Sequence, residues 1–245
     1  MSGDLPITGI PREGLPKLAL VTGDPDRISF IAKMLDGSRE VASRREYVSC
    51  VGSWKGVELV VCSHGVGAPG AILAFHELAT AGVGTFVRAG TCGGLVESIA
   101  DGDLVIATSA VRRDGVTDQM VDETFPAVSD AGVVSALERA ASRSGHPWHR
   151  GIVLTQAMFF PGVLDDRIAA YAQEGAIAVE MELSALLVLA SMKGLRAGGV
   201  LTSDGNPMTS SGPESYDPHR IVVQEGIRAM FNVALDALHD LADAS

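Results

Sequence analysis

Three arginines stand beside small or glycine-rich turns early in the chain: Arg27 in G-D-P-D-R, Arg45 in S-R-R-E-Y and Arg88 in R-A-G-T-C-G-G. A guanidinium offers paired donors at the spacing of oxyanion oxygens, and glycine lets backbone amides approach the same anion. The set outlines a phosphate site. Around the first arginine, the run Leu18 to Val21 has the length and branching of a buried strand, while Ile28, Ile31 and Leu35 share a helical face. A strand therefore hands over to a helix at Gly23. Asp24 is expected as N-cap and Pro25 as first helical residue, which leaves the free amides of the helix start beside Gly23 to meet an anion.

Two carboxylates bear on acid–base chemistry, Glu182 in V-E-M-E and Asp204 in T-S-D-G. Taken alone, a Glu opening an apolar helix is a cap or a partner of the helix dipole, and D-G is a turn dipeptide. Phe159 in Q-A-M-F-F reads by itself as core. His64, at a strand end in S-H-G-V-G, either touches the site or is satisfied within its turn. His76, His146, His149 and His239 show no metal spacing. Cys50, Cys62 and Cys92 are odd in number and lack C-x-x-C spacing, so neither a disulfide framework nor a zinc site is expected, and a reducing cytoplasm fits.

The elements that must position these groups follow from composition and periodicity. The 245 residues, 47% of them hydrophobic with a mean hydropathy of +0.24 and 28 glycines, show no linker or composition break. One domain over residues 1–245 is expected, with buried parallel strands and close turns. A net charge of −11 argues against nucleic acid or an anionic membrane as partner, and no run reaches the ~18 to 20 apolar residues of a membrane span. The N-terminus lacks the pattern of a signal peptide, so a soluble cytoplasmic protein is expected.

Strand-like runs occur at Leu18–Val21, Val57–Ser63, Thr85–Ala89, Asp103–Ala107, Gly151–Leu154 and Ala197–Leu201, and helical patterns at Ala68–Ala81, Ala131–Ser144, Met181–Lys193 and Ile221–Ala242. Their alternation predicts a three-layer αβα fold with a central mixed, mostly parallel sheet, and ligands at the carboxyl ends of its strands. Gly23, Ser63–Gly67, Gly90–Gly94, Thr155–Phe159 and Ser203–Gly205 all follow strands and are expected to share that rim. Met208–Pro218, rich in Ser, Pro, Gly and Asp, reads as a surface loop, either a lid over the rim or a plain connector.

Four motifs in order, G-D-P-D-R at Gly23–Arg27, R-A-G-T-C-G at Arg88–Gly93, V-E-M-E at Val179–Glu182 and T-S-D-G at Thr202–Gly205, resemble those of the nucleoside phosphorylase family, which includes hexameric purine nucleoside phosphorylases and uridine phosphorylases. The resemblance runs from about residue 15 almost to the end. It implies a homohexamer built as a trimer of dimers. It also implies reversible phosphorolysis of a ribonucleoside to free base and ribose 1-phosphate, with inorganic phosphate as co-substrate and no metal or organic cofactor. Position by position, it gives phosphate to the Gly23 amide, Arg27, Arg88 and Thr91, with Arg45 reaching in from the neighbouring subunit. Glu182 resembles the carboxylate that accepts from the ribose hydroxyls, Met181 the residue beneath the sugar, Phe159 the aromatic facing the base, and Asp204 the acid that protonates N7 of a leaving purine.

Base preference follows from departures. The span from Phe160 to Val179 is too short for the insertion in which well-studied uridine phosphorylases read uracil, and Asp204–Pro207 reads D-G-x-P, as in some purine enzymes. Purine is favoured, with uridine phosphorolysis from an atypical pocket as the alternative. A hydrolytic nucleosidase needs no phosphate cradle, and a non-catalytic hexamer needs neither Glu182 nor Asp204. The arginine that assists the aspartate in many purine enzymes has no clear match, leaving His219 and Arg220 as open candidates. Ile7 and Thr8 stand where the family usually brings a histidine across the dimer to the ribose 5′-hydroxyl, which implies a weaker grip there.

Overall fold

A computed structural model describes residues 3–160, 162–208 and 216–243. In chain order its strands are β1 (Leu18–Thr22), β2 (Asp36–Arg44), β3 (Tyr47–Trp54), β4 (Val57–Ser63), β5 (Thr85–Gly94), β6 (Leu104–Arg113), β7 (Ala127–Val128), β8 (Trp148–Gln156), β9 (Ala176–Glu180) and β10 (Arg196–Gly205). The helices are α1 (Asp26–Ala32), α2 (Ala68–Thr80), α3 (Ala131–Ser144), α4 (Ile168–Gln173), α5 (Leu183–Lys193) and α6 (Ile221–Asp243). Among the described residues no helix is long and apolar enough to cross a membrane.

Strand alternation builds the expected layers. In β1, Ala19 and Val21 face one apolar cluster and Leu20 the other; in β4, Val60 and Cys62 oppose Leu59 and Val61 in the same way. One cluster is covered by α2 and α5 through Phe75, Leu78, Leu183 and Leu186, the other by α1, α3 and α6 through Ile31, Leu137 and Phe231. Burying both faces requires a run of apolar residues, and Leu18–Val21 in β1 and Leu59–Cys62 in β4 meet that need. The result is an αβα arrangement around a mixed sheet. It runs β10-β6-β8-β9-β5-β1-β4-β3-β2, and β10 also pairs with β5, so β5, β10, β6, β8 and β9 close into a ring.

Several boundaries differ from the sequence expectation. Helix α1 begins one residue later, with Pro25 in the cap position, while Asp24 Oδ1 accepts the Asp26 amide at 2.9 Å as a local turn. Leu35 lies beyond the end of α1 but is buried in the same cluster as Ile28 and Ile31. Helix α5 starts at Leu183 rather than Met181. Gly90–Gly94 and Ser203–Gly205 are not turns after strands: β5 and β10 continue through them, paired to one another. The expected loop Met208–Pro218 falls largely on residues 209–215, which lie outside the described residues.

Candidate active site

Strand β5 carries Arg88 in its middle, 3% exposed, with its side chain against two carboxylates from the β9–α5 junction. Arg88 Nη2 lies 3.2 Å from Glu180 Oε2 and also donates to Glu182 Oε2. The glycine of R-A-G-T makes this possible, because a Cβ at Gly90 would run into the Arg88 guanidinium. Glu180 accepts the amides of Glu182 at 2.8 Å and Leu183 at 2.9 Å, and the Thr155 hydroxyl at 2.5 Å. Glu180 therefore caps α5, the task that the sequence alone offered to Glu182. Relieved of capping, Glu182 turns to the β4–α2 junction and accepts the Gly67 amide at 2.5 Å.

The charges of this cluster are set by burial and mutual contact. Burial opposes the charge of Glu182, but Arg88, His64 and the Gly67 amide outweigh it and hold its pKa below the ordinary carboxylate value. Glu180 is pushed upward, by complete burial first, against the pull of Arg88. Arg88 is held as a cation by its two carboxylates in spite of its burial. Its Nε and Nη1 are buried without a partner among the described residues. A buried unpaired donor is costly, and one oxyanion bound by both nitrogens satisfies two at once.

Asp204 is placed by a β-bulge. Ser203 pairs with Cys92 and Gly205 with Gly93, so Asp204 is the extra residue of β10, turned out of the ladder. The bland reading of D-G as a turn is thereby replaced: the strand runs on, and the irregularity re-aims one side chain. Asp204 is 5% exposed, and its carboxyl accepts the Tyr216 hydroxyl at 2.7 Å and bonds to the Thr91 hydroxyl. Burial raises its pKa, and the two hydroxyls and Arg27 offset only part of that rise. Arg27, half-buried at the start of α1, lies 3.8 Å from Asp24 and within electrostatic reach of both Asp204 and Arg88.

The remaining expected residues divide. Gly23 stands at the end of β1, where an added Cβ would lie 3.2 Å from Gly65 O and 3.8 Å from His64 Cε1, so the two strand ends meet at van der Waals distance. His64 is fully buried, its Nδ1 2.9 Å from Gly65 O and its ring edge-on to Phe75. Burial first, and Arg88 next, push it down to about 4, so it is neutral. Met181 directly precedes Glu182 and is half-buried. Phe159 is 54% exposed and meets the Tyr216 ring at 5.4 Å; it is not core. Arg45 is not brought to this set: it sits exposed at the β2–β3 hairpin tip with a left-handed φ of 56°.

Three contributors had no role of their own in the sequence reading. Gly67 was expected on the rim, but its bond to Glu182, 115 residues later, is made only by the tertiary fold, and Glu180 was read only as part of V-E-M-E. Tyr216 carries no local signal. Of the open candidates, Arg220 donates to Asp204 O at 2.9 Å and to Asp101 at 2.5 Å, and so grips the backbone of Asp204 rather than its carboxyl, while His219 is exposed. Cations, a buried carboxylate with a lowered pKa and a buried acid with a raised one thus converge where β1, β4, β5, β9 and β10 end. The cations and unpaired donors suit an oxyanion, the ionised Glu182 suits hydroxyl donors, and Asp204 suits proton transfer.

The sequence profile of the Phosphorylase superfamily matches residues 17–239. The chain belongs to that superfamily. A guanosine phosphorylase of Halorubrum lacusprofundi is 34% identical over 224 residues, covering 91% of this chain and 92% of the relative. A uridine phosphorylase of Salmonella typhimurium is 35% identical over 199 residues, covering 75% and 78%. The crystal structure of a purine nucleoside phosphorylase from Toxoplasma gondii in complex with immucillin-H superposes with a TM-score of 0.94 at 30% identity, covering 100% of this chain and 98% of that one.

Within the superfamily frame, the N-terminal segment has a local job. Thr8 is fully buried, and its amide and hydroxyl both donate to Glu77 Oε2 at 2.7 Å, with the Ile7 amide on Oε1 at 3.0 Å. A hollow of about 570 Å³ lined by Arg139, Arg143 and Trp148 shares no residue with the cluster above. Its arginines already face Asp240, so size alone does not mark the site.

Proposed function

We propose that this chain catalyses reversible phosphorolysis of purine ribonucleosides to free base and ribose 1-phosphate, with inorganic phosphate as co-substrate and neither metal nor organic cofactor. The observation that carries the reading is the pairing, on adjacent strands, of a buried arginine having two unpaired donors with an aspartate whose pKa burial has raised. Phosphate is bound by the Gly23 amide, Arg27, Arg88 and Thr91, and by Arg45 of a neighbouring copy in a hexamer assembled as a trimer of dimers. Glu182 accepts from the ribose hydroxyls, Met181 supports the sugar and Phe159 faces the base. As the C1′–N9 bond breaks, its electron pair passes to the purine, Asp204 delivers its proton to N7, and a phosphate oxygen bonds to C1′. The reading takes residues 1–245 as one cytoplasmic domain acting on small molecules, with no nucleic acid or membrane partner.

The test is release of base from inosine, guanosine, adenosine, 5′-methylthioadenosine and uridine, each with and without phosphate. Phosphate-dependent purine release is expected. Release of uracil alone retains the phosphate site and moves the assignment to uridine, a reading favoured by the relatives named for that activity. Release without phosphate removes the cradle from the argument. With Thr8 committed to Glu77, cleavage of 5′-methylthioadenosine at a rate comparable to adenosine is also expected.

A further inference from the structure

We propose that Tyr216 is the positioning residue of the proton donor: its hydroxyl donates to Asp204 Oδ2 and stabilises the carboxylate formed when the proton of that carboxyl leaves for the base. This rests on the phosphorolysis reading and deepens it.

The contact is direct, 2.7 Å between the Tyr216 hydroxyl and Asp204 Oδ2. The ring is 37% exposed and packs on one side. Its edge meets Phe159 at 5.4 Å, and its Cδ2 would lie 3.7 Å from a Cβ placed on Gly205. The same short segment holds the Asp204 backbone through Arg220, whose Nη2 donates to Asp204 O while Nη1 goes to Asp101 and Nε to Asp217 O. With Arg220 so engaged, the hydroxyls on the carboxyl itself are those of Tyr216 and Thr91, beside the Asp204 amide and the nearby Arg27. Burial first, and Asp204 next, push the phenol further upward, so it remains a donor across the working pH range.

A donor to a carboxyl group contributes more as that group gains charge, so the Tyr216 bond strengthens during proton transfer rather than before it. Its value therefore depends on whether the leaving base needs a proton. Inosine does; 7-methylguanosine, already cationic at N7, does not.

The experiment compares the unsubstituted enzyme with Tyr216→Phe, which keeps the ring and its contact with Phe159, on both nucleosides from pH 6 to 9, with phosphate varied up to saturation. For inosine, kcat should fall roughly 10- to 100-fold, as expected for loss of one hydrogen bond to a charged group, with the KM for phosphate unchanged. For 7-methylguanosine the loss should be less than about twofold, since no proton is transferred. Because Tyr216 favours the carboxylate, its removal raises the Asp204 pKa. The alkaline limb for inosine then moves to higher pH, and the deficit narrows as pH rises. Equal losses on the two substrates, or an unmoved pH profile, overturn the proposal, as does an unchanged kcat for inosine. A failure of the phosphorolysis reading itself appears separately, as absence of phosphate-dependent inosine cleavage by the unsubstituted enzyme.

Discussion

Arg88 shows how one side chain divides its donors between fixed carboxylates and an open site. Its Nη2 is held between Glu180 and Glu182, while Nε and Nη1 are left for an anion. Arg88→Ala should therefore do two things. It should lower kcat/KM for phosphate by about 100-fold or more, on the order of 3 kcal/mol for a desolvated charged donor. It should also release Glu182 from the cation that lowers its pKa, so the carboxylate proposed to hold the ribose takes up a proton more readily. The sign is fixed: residual activity in the variant should rise with pH as the raised Glu182 pKa is crossed, and be lost as pH falls. A pH–rate profile of the variant parallel to that of the unsubstituted enzyme would detach Glu182 from Arg88. The arginine itself was legible in the sequence because its neighbours Gly90 and Thr91 are small. Its dependence on Glu180 was not, since two glutamates flanking one methionine look alike until one of them is seen capping a helix.

At the scale of elements, the junction between β9 and α5 is pinned by Glu180, which meets two helix-start amides, the Thr155 hydroxyl and Arg88. Glu180→Ala leaves those donors buried and unpaired. The expected loss is about 3 kcal/mol of stability, the range for breaking a buried ion pair, visible as a lower denaturant midpoint. A rise in KM for the nucleoside is expected with it, because Glu182 follows directly on the freed junction. A stable variant with an unchanged KM would show that α5 fixes Glu182 without the cap. Elements buried on both faces were readable as apolar runs, as in β1 and β4. Strand β2 was not: Asp36–Arg44 is exposed or half-exposed along its whole length and carries no apolar alternation to mark it. Strand β9 is short and lies between α4 and α5 in a stretch rich in alanine. The ends of β5 and β10 were misread as turns because glycine normally signals one; here it gives room, with Gly93 against Pro207 and Gly94 against Ile99.

Across the whole molecule, the ring of β5, β10, β6, β8 and β9, with β1 and β4 joined to β5, brings Gly23, Gly67, Arg88, Glu182 and Asp204 to one place although no local pattern links them. It does not bring in Arg45, which stands on the exposed β2–β3 tip, away from the ring, while its neighbour Arg44 is tied back to Pro6 O at 2.9 Å. A guanidinium so placed is open to a second copy of the chain. If two-fold-related copies exchange Arg45, then Arg45→Ala and Asp204→Asn subunits are each inactive alone but complementary together. In a mixed dimer, the subunit that keeps Asp204 receives Arg45 from the neighbour bearing the Asp204→Asn change, and the other site has neither group. Co-expression of the two variants in equal amounts should restore about a quarter of full activity, since half of randomly formed dimers are mixed and each has one complete site. Activity no greater than that of the separate variants would place the function of Arg45 within its own chain, or outside catalysis, and would leave the phosphate site to Gly23, Arg27, Arg88 and Thr91.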